Sequence, residues 1–460
     1  MFPNLRALVL FWFALPVAGQ LPQAATAKID AAAEKALAES GAPSVSVAVV
    51  KDDRIAYVKA YGNARLHDPA TAARPEMRYS IGSVSKQFMA GAILMLVEEG
   101  KLSLDDKVGR FLPELTRANE VTIRQLLSHT SGYQDYYPLD YVAPYMQKPV
   151  TADSILKTWA GKPLDFDPGT RWQYSNTNYV AAGRILERVT GAPFAAFLQA
   201  RVFGPLGMTS VIDLDEKSLT ASDAEGYTRF GLGPARPVAP EGRGWLFAAG
   251  ELAMTAQDLA RWDISLIEHK LLTPGSLDAL MTPVRLKNGA PTGYALGVGV
   301  SDADGHPKLQ HGGAVSGFVS LNTVWPDQRG AVVVLANMDG SNAPGSITNQ
   351  IAPLLLEEAE DPQAARQLEQ AHRIFSGLQE GKIDRALLNS DAAAYFTPQV
   401  LQDAAASLKP LGVPESFRQT SVDLRGGMTY RHFQIRFKDK PLHLSTFTTV
   451  DGKLAQYLIQ

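Results

Sequence analysis

The chain has 460 residues, 45% of them hydrophobic and 20% charged, a formal net charge of −3 and no cysteine. That length suits one large domain followed by a smaller one. The near-balanced charge, with no Lys/Arg run, gives no electrostatic footprint for nucleic acid. The lack of thiols excludes disulfides, thiolate metal sites and a lipid-anchoring cysteine.

In chain order, "MFPNLR" is followed by a nearly unbroken apolar run from Ala7 to Gly19. A basic residue, a short apolar core and small residues after it form the pattern of a secretory signal peptide. The core is shorter than the roughly 20 residues of a membrane span. Cleavage after Gly19 or after Ala27 both fit, and residues 1–27 are assigned to the leader. The alternative is an uncleaved membrane anchor. A disulfide-free exported protein of this size suits the periplasm, with no stable membrane span after processing.

"SVSVAVVKDDRIAYVKAYG" (44–62) holds two β-rich runs around Asp52-Asp53, a predicted hairpin. A helix is expected from Ser83 to about Glu99, closed by Gly100. "TIRQLLSHTSG" (122–132) reads as a short amphipathic helix entering a turn, and 176–206 as a helix pair. "DYYPLDYVAPYMQ" (135–147), with Trp245 and Phe247, is aromatic enough to line an apolar cleft, and loop packing explains it equally well. "AAGELAMTAQDLARW" (248–262) reads as a loop and a helix, and β-type runs follow at 293–300, 317–326 and 330–338. Strands at both ends of this region, with helices between, call for an antiparallel sheet that the terminal hairpin joins.

Composition shifts near 356–370, where "EEAEDPQAARQLEQ" reads as a connecting helix or linker. Beyond it a helix at about 364–380 precedes two hairpins around Gly426-Gly427 and Asp451-Gly452, a small α+β unit. The expected fold class is therefore α/β (α+β): an antiparallel sheet flanked by helices plus an all-helical subdomain over residues 28–362, then a small α+β domain over 363–460.

Three stretches carry chemistry. Ser83 and Lys86, three apart, share a face with Cβ atoms roughly 5–6 Å apart. A lysine whose pKa is brought toward neutrality can take a serine's proton, and a helix N-terminus favours a developing oxyanion. "PGTRWQYSNTNY" places Tyr174 and Asn176 two apart on a loop, a phenol to move a proton and an amide to hold substrate. "LQHGGAVSGF" offers His311 and two glycines where a strand edge can lie against substrate. His129 reads as a packing histidine in a turn. There is no G-x-S-x-G elbow and no H-E-x-x-H metal motif.

Ser-x-x-Lys, Tyr-x-Asn and His-x-Gly in this order resemble the serine β-lactamase and penicillin-binding-protein superfamily. The branch resembled is the class C β-lactamase-like one, with its DD-carboxypeptidase, D-aminopeptidase and esterase relatives. The resemblance covers about residues 30–358, with "GSVSKQF", "TIRQLLSHTSG", "YSNTNY", "FGPLGM", "AAGELAMTAQDLARW" and "HGG" in the family's order. It implies that Ser83 is the acylated nucleophile, Lys86 its partner base and Tyr174 the second proton-transfer group and activator of water. Asn176 would bind the substrate's acyl-side amide, and Gly313 would close the third motif. The N–H groups of Ser83 and Ala314 would form the oxyanion hole. No cofactor or metal is implied.

His311 stands where many relatives carry a lysine, and it donates a charged hydrogen bond only when protonated. Affinity for acidic substrates is then expected to weaken as pH rises through about 6.5. The implied function is an exported serine hydrolase acting on D-amino-acid peptides or small esters. A true class C-type β-lactamase is the enzymatic alternative. A penicillin- or muropeptide-binding receptor without turnover is the alternative from another class.

Overall fold

Asp52 and Asp53 both adopt positive φ, 52° and 60°, the backbone of a two-residue turn whose twist matches that of paired strands. They join β1 (Ser44–Lys51) to β2 (Arg54–Arg65), so the expected hairpin forms. These coordinates are a computed structural model that describes residues 21–67, 69–303, 306–356, 363–438 and 440–459. Most of the expected leader and part of the expected linker lie outside the described residues. The helix α1 (Gln23–Ser40) runs through Ala27, so cleavage after Ala27 would fall within it.

The hairpin and β3 (Thr71–Ala72) join four later strands: β4 (Gly299–Ala303), β5 (His306–Val315), β6 (Phe318–Trp325) and β7 (Gly330–Ala336). The seven-stranded sheet has the order β3-β2-β1-β7-β6-β5-β4, and every neighbouring pair is antiparallel. In register, Val45 faces Ala336 and Val50 faces Ala331.

Alternation along β1 and β7 divides their side chains between two cores. Val45, Val47, Val49, Val332 and Val334 pack with Ile29 and Ala33 of α1 and with Ile347 and Ile351 of another helix. Ala48, Val50, Val333 and Leu335 belong to the larger core on the opposite face. The central strands therefore read as continuous apolar runs, because both faces are covered. Each fully buried valine contributes about 1.5–3 kcal/mol relative to exposure.

Within the larger core runs α2 (Ser85–Glu98), in which every residue from Ser85 to Leu96 is buried. One 3₁₀ turn, Gly82–Val84, precedes it. Ser83 thus sits just ahead of the α-helix rather than inside it. Further on, α3 (Asn176–Thr190) leaves an extended Ser175, and α4 (Ala256–Ile267) is capped by the Thr255 side chain.

The run 293–300 departs from expectation, since strand pairing begins only at Gly299. Gly293 and Gly297 take positive φ, 70° and 76°. A Cβ on Gly297 would lie 2.7 Å from the Lys86 carbonyl oxygen. The alternating residues form a tight buried loop against the start of α2, with Ala295, Leu296 and Val298 inside.

The chain divides into two compact units, residues 1–357 and 358–460. The second has its own core, in which Phe375, Phe433, Ile435, Leu444 and Tyr457 are buried. A helix, Ala364–Gln379, and a four-stranded antiparallel meander build it. Gly426 and Gly427 turn its first hairpin with φ of 61° and 77°.

Candidate active site

Close backbone approach places the first turn of the site. A Cβ on Gly313 would lie 2.0 Å from the Ile81 carbonyl oxygen, so only glycine fits where β5 crosses the segment before Ser83. The Ser320 hydroxyl of β6 donates to that same carbonyl at 2.8 Å. A Cβ on Gly82 would lie 3.0 Å from the backbone nitrogen of Ala314. The Gly82–Ser83 backbone and that of Ala314 are thereby brought side by side.

Lys86 is completely buried, and its Nζ donates to Ser83 Oγ at 2.9 Å, Asn176 Oδ1 at 2.8 Å and the Ala249 carbonyl at 2.7 Å. Burial brings its pKa down to about 7, and the Asp135 charge resists that fall. Once neutral, the amine keeps two hydrogens. The amide oxygen and the Ala249 carbonyl can only accept, so they take both, and the lone pair faces the Ser83 hydroxyl. This arrangement can remove the serine's proton.

Tyr174 lies beside this pair, with Lys86 Nζ 5.0 Å from its ring centroid. Burial pushes its pKa up, partly offset by its interaction with Ser83, so it is present as the phenol. His129, buried and at φ 58°, holds it on three sides. The His129 carbonyl accepts from Gln173 N–H at 3.0 Å, Nδ1 accepts from Ser175 N–H at 3.2 Å, and the imidazole lies tilted by 32° against the Tyr174 ring with centroids 4.2 Å apart. His129 has no bond to Ser83 among those observed. Its place is that of a clamp on Tyr174, more specific than the packing role expected for it.

Asn176 begins α3 with both ends of its amide engaged. Its oxygen takes the Lys86 hydrogen, and its Nδ2 donates to Asp135 at 3.2 and 3.3 Å. Asp135 escaped the sequence reading because it lies in the stretch read for its aromatic residues alone, as cleft lining or loop packing.

His311 corrects a further expectation. Its Nδ1 lies 2.6 Å from the Gly312 carbonyl, which can only accept, so Nδ1 carries the proton and Nε2 accepts from the Tyr294 hydroxyl at 2.8 Å. Burial, with Lys86 nearby, drops its pKa to about 3. The ring is neutral at every pH from 5 to 9 and is no imidazolium for a substrate carboxylate. Tyr294, the partner that fixes it, comes from the loop first read as strand.

These groups open on a cleft of about 1720 Å³. Its charged lining among the described residues comprises Asp135, Asp140, Asp339 and one cation, Arg229. Elsewhere Asp213, Asp215 and Glu251 bring carboxylate oxygens within 4.8 Å of one another. Burial and the neighbouring acids raise Glu251 well above the usual carboxylate range and Asp213 to about 6.

An antiparallel sheet with covering helices, and a buried lysine between a serine and a tyrosine at its edge, define a serine hydrolase of the β-lactamase and penicillin-binding type. The chain belongs to the Beta-lactamase family, whose profile matches residues 29–356. It is 28% identical to PbpX of Bacillus subtilis (strain 168) over 311 residues, covering 67% of this chain and 74% of that protein. The crystal structure of a D-stereospecific amidohydrolase from Streptomyces sp. superposes with a TM-score of 0.62 at 28% identity, covering 70% of this chain and 98% of that one. An octameric penicillin-binding protein homologue from Pyrococcus abyssi shares the fold over 95% of this chain and 100% of its own, with a TM-score of 0.63 at 21% identity. Among the described residues no helix is long and apolar enough to cross a membrane.

Proposed function

We propose that the chain is an exported hydrolase that works through an acyl-enzyme on Ser83, taking amides or esters of small amino-acid acyl donors, D-amino-acid peptides among them. The observation that carries this reading is the buried Lys86 amine, with two acceptors for its hydrogens and Ser83 on its third side. Neutral Lys86 takes the Ser83 proton as Oγ attacks the acyl carbon, and the N–H groups of Ser83 and Ala314 receive the oxyanion. The Tyr174 phenol protonates the departing amine or alkoxide and takes the proton held by Lys86, which is then neutral again. In deacylation Tyr174 relays the water's proton to neutral Lys86, which returns it to Ser83 Oγ as the acyl bond breaks. Cleavage of the leader after Gly19 would leave α1 whole. The hydrolase is assigned to residues 28–362 and the small unit to 363–460.

The substrate's charge follows from the cleft. With three aspartates against one arginine in the lining and His311 neutral, a free ammonium is the better-matched substituent. The resemblance to a D-stereospecific amidohydrolase supports the reading of D-amino-acid amides as substrates. The test compares kcat/KM for D-alanine p-nitroanilide with its N-acetyl and N-succinyl derivatives, in wild type and Ser83→Ala. The ammonium form should lead by about tenfold, and Ser83→Ala should lose several orders of magnitude throughout. Full activity in Ser83→Ala would end the serine-hydrolase reading, and equal rates for the three compounds would end the charge preference.

A further inference from the structure

Asp135 touches neither Ser83 nor Lys86 in any observed bond, yet it controls the group between them. Its Oδ1 accepts from the backbone N–H of Asn176 at 2.9 Å, from Asn176 Nδ2 at 3.2 Å and from Tyr137 N–H at 3.1 Å. Its Oδ2 lies 3.3 Å from Asn176 Nδ2. It forms no ion pair among those of the described residues.

We infer that Asp135 is the positioning residue of this site: by accepting from Asn176 Nδ2 it locks the amide with Oδ1 toward Lys86, and so aims the Lys86 lone pair at Ser83. An asparagine amide can rotate by half a turn at little intrinsic cost, so its orientation is set by its partners. Were it reversed, Nδ2 would donate to the neutral amine and occupy the lone pair that Ser83 needs. A carboxylate, which only accepts, forbids that state. The inference rests on the serine-hydrolase reading above.

Asp135 also sets the charge felt by the lysine. The other titratable groups facing Lys86 are His129, His311, Tyr174 and Tyr179. Burial holds both histidines neutral and pushes both tyrosines up, so none carries charge near pH 7. Asp135 is the charge that raises the Lys86 pKa against burial. Activity that requires neutral Lys86 rises with pH through about 7. Removing the Asp135 charge moves that limb to lower pH.

Asp135→Asn is the decisive variant, because its Oδ1 can still accept from the Tyr137 and Asn176 backbone and so preserves the turn. Its amide NH₂ stands where Oδ2 lay 3.3 Å from Asn176 Nδ2, so one of the two acceptors becomes a donor and the reversed Asn176 amide is no longer forbidden. The experiment follows kcat/KM for p-nitrophenyl acetate, a neutral ester, from pH 5 to 9 in wild type, Asp135→Asn, Asp135→Glu and Ser83→Ala, with the melting temperature of each. Asp135→Asn should lose about 10- to 100-fold in rate and shift its acid limb down by about one pH unit. Asp135→Glu, keeping the charge, should retain the wild-type limb. An unshifted limb in Asp135→Asn, or equal loss of rate in both variants with unshifted limbs, overturns the inference and leaves Asp135 a structural residue. If instead wild type and Ser83→Ala hydrolyse the ester alike, it is the serine-hydrolase reading that fails.

Discussion

A fully buried lysine would ordinarily destabilise a fold, because removing its charge from water is costly. Lys86 escapes much of that cost by having a pKa near 7 and oxygen acceptors for its hydrogens, so it is buried without being an isolated charge. The residues around it then act as holders, and His129 is the clearest example. His129→Ala removes the ring under Tyr174 and leaves the buried Ser175 N–H without its acceptor, at about 1–3 kcal/mol. We expect kcat to fall by about 10- to 100-fold as Tyr174 loses its position. The acid limb near pH 7 should stay in place, because His129 is neutral. A pH–rate comparison checks this. Loss as deep as that of Ser83→Ala, with a changed limb, would instead make His129 a proton-transfer group. At this scale, the grouping of Ser83, Lys86, Tyr174 and Asn176 was legible because each lies in a short motif of fixed spacing. Asp135, Tyr294 and the acceptor carbonyl of Ala249 were not, since tertiary contacts alone bring them in and a backbone carbonyl leaves no mark in a sequence.

Among the elements, α2 carries the site, and its packing explains a residue that helix propensity disfavours. Gly91 lies mid-helix, and a Cβ there would come within 2.9 Å of the Trp262 ring. That ring cannot move aside, because it packs on Phe88 at 4.7 Å and its Nε1 donates to Gln87 at 3.1 Å. Gly91→Ala would gain about 1 kcal/mol in propensity and lose about 1–3 kcal/mol to overpacking. Net destabilisation of about 1 kcal/mol is expected, read as a lower midpoint in urea unfolding. A raised midpoint would show that Trp262 has room. The hairpin at Asp52-Asp53 and α2 were legible in period and turn chemistry, whereas 293–300 misled because its alternation is that of a buried loop. Only the positive φ of Gly293 and Gly297 separates the two, and glycine in a sequence does not declare its φ.

Across the whole molecule, the layers follow from apolar runs too uniform for a sheet with a wet face, and the first unit is built around a sheet whose central strands β1 and β7 are buried on both sides. That much could be read from β1 and β7. The charge of the cleft could not, because Asp135, Asp140, Arg229 and Asp339 are scattered in sequence and meet only in the fold.

Acylation of Ser83 with neutral Lys86 as its base is read out by the rate of covalent capture. Purified protein would be mixed with a fluorophosphonate from pH 5 to 9, and the adduct located by mass spectrometry in wild type and Ser83→Ala. A single adduct on Ser83 is expected, none in the variant, and a rate that rises with pH to a plateau above the Lys86 pKa of about 7. An adduct at another residue, or a rate on Ser83 that is flat across that range, would contradict it.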